Sequence, residues 1–195
     1  MVKTGTLLPG NIPIQQCLQR LLERGVDAQL CYIDLDNFKP FNDLYGYGKG
    51  DEILLGLAQL LRELCDPRCD FVGHIGGDDF ILVMQSDDWR ERLNSLDNRF
   101  QQLCRTLYRA EHLQSRSFTA PDREGRWRSH DLLNLSIGIL PLIGSRARQF
   151  DPARLAELAS RAKHEAKRQR GFSLVIQDLP IDGLDDSERH LNLCS

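Results

Sequence analysis

The sequence lacks the features that would assign it to a membrane, secreted or nucleic-acid-binding class. None of its apolar runs is long enough to span a bilayer, and its N-terminus lacks the pattern of a secretory signal. The formal net charge of −3 argues against a generally basic surface for DNA or RNA. The six cysteines are scattered and form no paired CxxC motif. We therefore expect reduced thiols, a cytoplasmic location, and neither nucleic acid nor membrane as a partner of this segment.

What the sequence contains is a succession of short periodic segments. The patterns predict helices over 11–24, 38–44, 51–64, 88–113 and 151–170, and strands over 28–35, 71–75, 80–84, 132–140 and 172–176. Residues 1–10 are predicted to be a leader, 11–176 the domain, 114–130 a loop, and 177–195 an acidic tail or linker. This order predicts an α/β fold with a single central mixed β-sheet flanked by helices.

Two pairs of acids follow apolar segments. Asp34 lies in the first predicted strand and Asp36 directly after it, and on a regular strand both would point to the same face. Asp78 and Asp79 lie at the tip of a predicted hairpin. If strand and hairpin are neighbours, these carboxylates meet and require a cation, for which hard oxygen ligands select Mg²⁺ or Mn²⁺. Such a site is typical of phosphoryl and nucleotidyl transferases. The alternative, acids that only cap helices and turns, stays open.

Two further segments are open to a structural and a functional interpretation. Gly46, Gly48 and Gly50 match neither the dinucleotide fingerprint nor a P-loop, and are predicted to form a flexible turn. The basic run at 161–170 is either a solvated helix end or a set of cations for a triphosphate, with Lys167 as the best single candidate.

Together these segments resemble the GGDEF family of diguanylate cyclases over roughly residues 7–176. The matching segments are LPGN at 8–11, IDLDNFKPFNDLYGYGKGD at 33–51, GGDDF at 76–80, NLSIGI at 134–139 and the helix at 151–170. The resemblance implies a fold related to nucleotidyl cyclases and polymerase palms. It also implies condensation of two GTP molecules into cyclic di-GMP, a bacterial second messenger in signal transduction, by two GGDEF domains that face each other as a homodimer.

The resemblance also implies roles for individual residues. Mg²⁺, or Mn²⁺, would be held by Asp34, the backbone carbonyl of Leu35 and Asp78, while Asp78 and Asp79 would act in catalysis. GTP would be bound through its phosphates by Asn37, Phe38 and Lys39, through guanine by Asn42 and Asp51, and through the triphosphate by Lys167.

The chain departs from the family pattern at several positions. Asp79 stands where the family has Glu, His74 stands where Arg is common, and residues 159–167 read ASRAKHEAK in place of ADxALYxAK. Pro67 replaces the Arg of the RxxD product site that would end at Asp70, so we expect no feedback binding of cyclic di-GMP there. Two hypotheses remain: a slow, active cyclase, or a GTP-binding module without turnover that controls an attached or partner EAL-type phosphodiesterase. An attached sensory domain is compatible with both.

Overall fold

The computed structural model describes residues 5–122 and 124–180, which form a central sheet with helices on both faces. The helices are α1 (Asn11–Arg24), α2 (Phe38–Tyr45), α3 (Tyr47–Leu64), α4 (Trp89–Arg105), α5 (Ala110–Ser115), α6 (Gly144–Ala147) and α7 (Pro152–Ala166). The strands are β1 (Ala28–Asp36), β2 (Phe71–Gly76), β3 (Asp79–Met84), β4 (Ser117–Pro121), β5 (Trp127–Asp131), β6 (Asn134–Leu142) and β7 (Ser173–Ile176). Most of the predicted acidic tail lies outside the described residues.

The main sheet has five strands in the order β2-β3-β1-β6-β7. Its pairs are antiparallel except β6–β7, which is parallel. This arrangement confirms the prediction of one mixed sheet flanked by helices. No helix in the described part of the chain combines the length and apolar character needed to cross a bilayer.

The alternation of side chains along β1 divides the core into two layers. Ile33 and Leu35 pack with α2, α3 and α4 on one face, whereas Leu30 packs with α1 and α7 on the other. Because successive strand residues point to opposite faces, Asp34 and Asp36 share the face of Leu30. Both acids therefore lie on the side of the sheet that α7 covers, as their spacing predicts.

The glycine segment differs from its predicted structure. Only Gly46, with φ of +85°, forms a turn, and α3 already begins at Tyr47 instead of Asp51. Gly48 and Gly50 are therefore helical residues in the first turn of α3. The prediction of a flexible turn through all three glycines is wrong, because glycines are helix-weakening but do not prevent a helix that packs an apolar face.

Two predictions between residues 88 and 130 are also wrong. The single helix predicted over 88–113 is interrupted between α4 and α5, because Tyr108 turns into the core and its hydroxyl accepts a hydrogen bond from Leu133 N at 2.9 Å. The predicted loop at 114–130 contains the β4–β5 hairpin. The buried side chains of Phe118 and Ala120 alternate along β4, a strand pattern too short to be distinguished within a polar segment.

The described end of the predicted leader packs against the domain. Leu8 is buried, and the carbonyl of Pro9 accepts a hydrogen bond from His74 N of β2 at 2.8 Å. The backbone carbonyl of Thr6 accepts a hydrogen bond from the guanidinium of Arg62 in α3. Residues 6–9 thus join β2 and α3 at their ends.

Candidate functional site

Three carboxylates converge where β1 and β3 lie side by side. The register of this antiparallel pair places Asp34 opposite Asp79, and Asp78 precedes Asp79 in the two-residue turn from β2. Gly77, with φ of +58°, supplies the left-handed residue that this tight turn requires. The cluster predicted from the two acidic segments therefore forms, with Asp34 buried and Asp78 and Asp79 half-buried.

The last helix supplies two cations to this cluster. The Nζ of Lys163 lies 3.0 Å from Asp34 Oδ2 and 2.9 Å from Asp79 Oδ1. The Nζ of Lys167 lies 2.5 Å from the other oxygen of Asp34. Lys167 was predicted as a ligand of the triphosphate, and in this structure its partner is Asp34.

Lys163 is the site residue that the sequence interpretation missed. Its position corresponds to leucine in the family pattern ADxALYxAK, and its side chain is only 6% exposed. A sequence signal existed, because Lys163 lies four residues after Ala159 and so continues the buried stripe of α7. A lysine in such a stripe requires a buried acidic partner.

The ionisation of the cluster reflects both burial and mutual repulsion. Burial raises the pKa of Asp79, the hydrogen bond from Lys163 opposes this, and the charge of Asp34 adds to it, so the net pKa lies above the usual value. Burial and the charge of Asp34 likewise raise the pKa of Asp78. Burial lowers the pKa of Lys163, but its hydrogen bonds to Asp79 and Asp34 outweigh this and hold the pKa above its usual value.

The start of α2 lies at the end of β1, beside the carboxylates. Asn37 is the N-cap in a left-handed conformation with φ of +63°, and Phe38 and Lys39 form the first turn, where backbone amides point out of the helix. A helix N-terminus of this kind suits phosphate oxygens. The Lys39 side chain is exposed and pairs with Asp43 at 2.6 Å, so a phosphate has to draw it from that partner.

The predicted guanine-binding residues lie where α2 meets α3. Asn42 Oδ1 is buried without a hydrogen-bond partner within the described residues, and it sits so close to Gly50 that a Cβ there would overlap it. Asp51 follows Gly50 and is exposed. The accessible carboxylate of Asp51 offers acceptors for the N–H groups of a guanine edge, whereas Asn42 Oδ1 lies against Gly50 without exposed surface.

The acids fit a divalent metal ion in chemistry but are engaged with lysines. Carboxylate oxygens of Asp34 and Asp78 and the carbonyl of Leu35 are hard ligands suited to Mg²⁺ or Mn²⁺. No group of three or more acidic, histidine or cysteine side chains in the described residues is arranged to hold a metal. Both oxygens of Asp34 accept hydrogen bonds from ammonium groups, so a metal ion bound to Asp34 would lie next to positive charge.

The acid of the RxxD-like position points inward. Asp70 Oδ2 lies 2.8 Å from Arg92 Nη1 and accepts a hydrogen bond from Asp66 N, while its Oδ1 accepts from Gln85 N at 2.9 Å. The Asp70 side chain is fully buried. Its oxygens are thus engaged in holding the β2–β3 hairpin against α4.

Comparison with known proteins shows the family of this chain. Residues 6–172 match the sequence profile of the family described as "Diguanylate cyclase, GGDEF domain". The chain belongs to the GGDEF family. The resemblance stated for residues 7–176 is therefore confirmed.

Two curated relatives illustrate how far this GGDEF domain extends within longer proteins. The diguanylate cyclase DgcM of Escherichia coli K12 is 48% identical over 58 residues, which cover 30% of this chain and 14% of DgcM. The diguanylate cyclase DosC of Shigella sonnei is 30% identical over 145 residues, which cover 74% of this chain and 27% of DosC. The chain thus spans less than a third of the length of either protein.

Solved GGDEF domains share the fold. The isolated GGDEF domain of YfiN (TpbB) from Pseudomonas aeruginosa superposes with a TM-score of 0.63 at 22% identity, covering 98% of this chain and 99% of that one. The GGDEF domain of DgcB from Caulobacter crescentus, solved in complex with c-di-GMP, gives a TM-score of 0.59 at 18% identity over 90% of this chain and 94% of that one. At these identities the likeness concerns the fold alone.

Proposed function

We propose that this GGDEF domain binds GTP with Mg²⁺ or Mn²⁺ and condenses two GTP molecules into cyclic di-GMP, releasing pyrophosphate. The observation that supports it best is the register of β1 and β3, which brings Asp34 and Asp79 opposite each other with Asp78 adjacent. Two carboxylates on one sheet face and a third in the adjoining turn, beside a helix N-terminus, suit a metal–triphosphate complex.

Each part of the proposed site has its own task. Asp34, the carbonyl of Leu35 and Asp78 would hold the metal, which when bound polarises phosphoryl oxygens. The amides of Asn37, Phe38 and Lys39 would hold phosphates, and Lys167 would leave Asp34 to meet the triphosphate. Asn42 and Asp51 would orient guanine.

Asp79 is the proposed acceptor of the proton from the attacking 3′-hydroxyl. Burial and Asp34 raise the pKa of Asp79, which brings this carboxylate nearer to the range useful for a general base. One domain would hold one GTP, so two domains have to face each other, and a homodimer is the proposed catalytic unit. Asp79 is one methylene shorter than the Glu of the family signature, which is the proposed reason for slow turnover.

A second candidate is a GTP-binding regulatory module without turnover, acting on an attached or partner EAL-type phosphodiesterase domain. The ion pairs of Lys163 with Asp34 and Asp79 favour it, because they satisfy the acids without a metal ion. Both candidates share the guanine and phosphate positions and differ only in the chemical step.

The deciding experiment is incubation of the purified domain with GTP and either Mg²⁺ or Mn²⁺, followed by chromatography for cyclic di-GMP and a separate measurement of GTP binding. Product formation, lost in Asp34→Asn, supports the cyclase. GTP binding without product selects the regulatory module. Absence of both contradicts the two candidates together.

A further inference from the structure

The ammonium group of Lys163 lies between the acids of the cluster and is held there by several contacts. Two hydrogens of the Lys163 ammonium group reach Asp34 Oδ2 at 3.0 Å and Asp79 Oδ1 at 2.9 Å. Its Nζ also lies 4.5 Å from the centroid of the Tyr32 ring, within the range of a cation–π contact. Two hydrogen bonds and one cation–π contact thus hold this ammonium group.

The close approach of α7 to the sheet fixes the position of Lys163. Gly138 of β6 is paired with Tyr32 of β1, and a Cβ at Gly138 would overlap the backbone N of Lys163 and the carbonyl of Ala159. The absent side chain lets the helix backbone rest directly on the strand. Lys163 therefore starts from a fixed point above the carboxylates and reaches them from inside the core.

The proposed metal ion and this ammonium group share one carboxylate, that of Asp34. Two cations at one carboxylate repel each other, and the repulsion is strong in a buried site where water screens poorly. We propose that Lys163 is a built-in counter-ion that competes with divalent metal for the carboxylate of Asp34 and thereby lowers the affinity of the site for metal. The inference rests on the proposed function only in taking Asp34 as a metal ligand.

The first test compares Mn²⁺ binding by the wild-type domain and Lys163→Met, without nucleotide, from the electron paramagnetic resonance signal of free Mn²⁺. Methionine has nearly the length of the lysine stem but carries no charge. We expect the variant to bind Mn²⁺ about tenfold or more tightly, the size by which a close opposite charge shifts proton binding to a carboxylate. Equal affinities of the two proteins, or weaker binding by the variant, overturn the proposal.

Arg161→Met is the matched control for loss of one positive charge from α7. Arg161 pairs with Glu157 at 3.8 Å on the exposed side of the helix. We expect its Mn²⁺ affinity to equal that of the wild type. A gain as large as that of Lys163→Met would mean that net charge, and not the position of Lys163, sets the affinity, which also overturns the proposal.

A second measurement needs no variant and so holds even if Lys163→Met fails to fold. Acetylation of lysines by an N-hydroxysuccinimide ester, read by peptide mass spectrometry, should increase at Lys163 as Mn²⁺ is raised, because the metal displaces its ammonium group. Lys49, whose Nζ donates to the carbonyl of Leu107, should not change. Constant protection of Lys163 at Mn²⁺ concentrations that bind the domain contradicts the competition.

These outcomes are distinguishable from those of the proposed function. If Lys163→Met gains Mn²⁺ affinity while neither protein binds GTP, the competition stands and the nucleotide function fails. If the domain binds GTP and Lys163→Met shows no gain in Mn²⁺ affinity, the competition fails and the nucleotide function stands.

Discussion

Thr6 and His74 are joined by a hydrogen bond between Oγ1 and Nδ1 of 3.0 Å, although 68 positions separate them in the chain. The other ring nitrogen of His74, Nε2, lies 2.9 Å from the carbonyl oxygen of Gly77. Since a carbonyl only accepts, Nε2 carries a proton, and in the neutral ring Nδ1 accepts the hydrogen of Thr6. One imidazole thus connects the N-terminal segment to the turn that carries Asp78.

The first prediction concerns the stability that His74 provides. Its ring also stacks on Phe80, with centroids 4.4 Å apart. His74→Ala should lower the free energy of unfolding by about 3 kcal/mol, because it opens a cavity and leaves Gly77 O without its donor. Thr6→Val should cost about 1 kcal/mol, since it removes one hydrogen bond and keeps the shape. Urea unfolding measures both.

The double variant is the control for this pair. Thr6→Val should cost little in the His74→Ala background, because its partner is already gone. Additive losses would show that Thr6 contributes by some route other than His74, against the contact described here.

Much of the fold follows from local pattern, and the errors have identifiable causes. The strands that carry the acids have short, mostly apolar runs bounded by turn residues, a pattern that predicts buried strands. The β4–β5 hairpin buries little more than Phe118 and Ala120, so its sequence looks like a loop. The break before α5 depends on Tyr108 meeting Leu133 of another element, and such contacts are not visible in local periodicity.

The site is predictable to a similar extent. The sequence predicts that Asp34 and Asp78 lie close together, because a strand and a hairpin can pair in only a few ways. The position of Lys163 in a buried stripe of α7 predicts that its side chain is buried. The same pattern does not predict which acids are its partners. Its reach to Asp34 depends on how closely α7 lies on Gly138, which a sequence of one protein does not reveal.

The second prediction tests the guanine position through a glycine. Gly50→Ala should weaken GTP binding about tenfold or more, because the new Cβ pushes Asn42 from its place and an unpaired hydrogen-bond partner is costly. Isothermal titration calorimetry with GTP and Mg²⁺ measures it. Gly48→Ala is the matched control, since a Cβ there meets nothing within 4 Å.

Both substitutions replace a glycine by the best helix former in the same turn of α3. Gly48→Ala should therefore raise the free energy of unfolding by about 0.5–1 kcal/mol and leave GTP affinity unchanged. Equal GTP affinities for Gly48→Ala and Gly50→Ala would show that Asn42 does not contact guanine.

The third prediction concerns Asp70. Asp70→Ala should lower the free energy of unfolding by about 3–5 kcal/mol, because it leaves Arg92 without a fully buried partner and Gln85 N without an acceptor. Chemical denaturation measures the loss. Asp87→Ala, at an exposed position of the neighbouring loop, should have little effect. A loss for Asp70→Ala no larger than for Asp87→Ala would contradict a structural role for Asp70.

The fourth prediction is a pH dependence of the metal-free domain. Burial holds the pKa of Asp78 and of Asp79 above the usual value, so the folded state binds these protons more tightly than the unfolded chain. This contribution to stability is complete below the unfolded pKa and is lost as pH rises through the folded pKa. The contribution of these two acids to the free energy of unfolding should therefore increase as the pH is lowered from neutral through their raised pKa values.

Asp78→Asn is the control for this pH dependence, because it keeps the shape and removes one titrating group. Its stability should change less steeply with pH over the same range, as measured by urea unfolding at fixed ionic strength. An identical slope in the variant and the wild type would assign the dependence to other groups.

The fifth prediction addresses the shortened acid of the signature. Asp79 Oδ1 lies 2.9 Å from the Nζ of Lys163, which holds its carboxylate beside α7. Asp79→Glu adds one methylene and extends the carboxylate by about one ångström. A displacement of this size can change the rate of proton transfer by about a hundredfold. Cyclic di-GMP formation should rise about tenfold or more, with GTP affinity nearly unchanged, because the added reach acts in the chemical step. Asp79→Gln has the same length without the charge and should yield no product. Turnover that does not rise in Asp79→Glu would mean that Lys163 or the altered end of α7, and not the length of the acid, limits the enzyme.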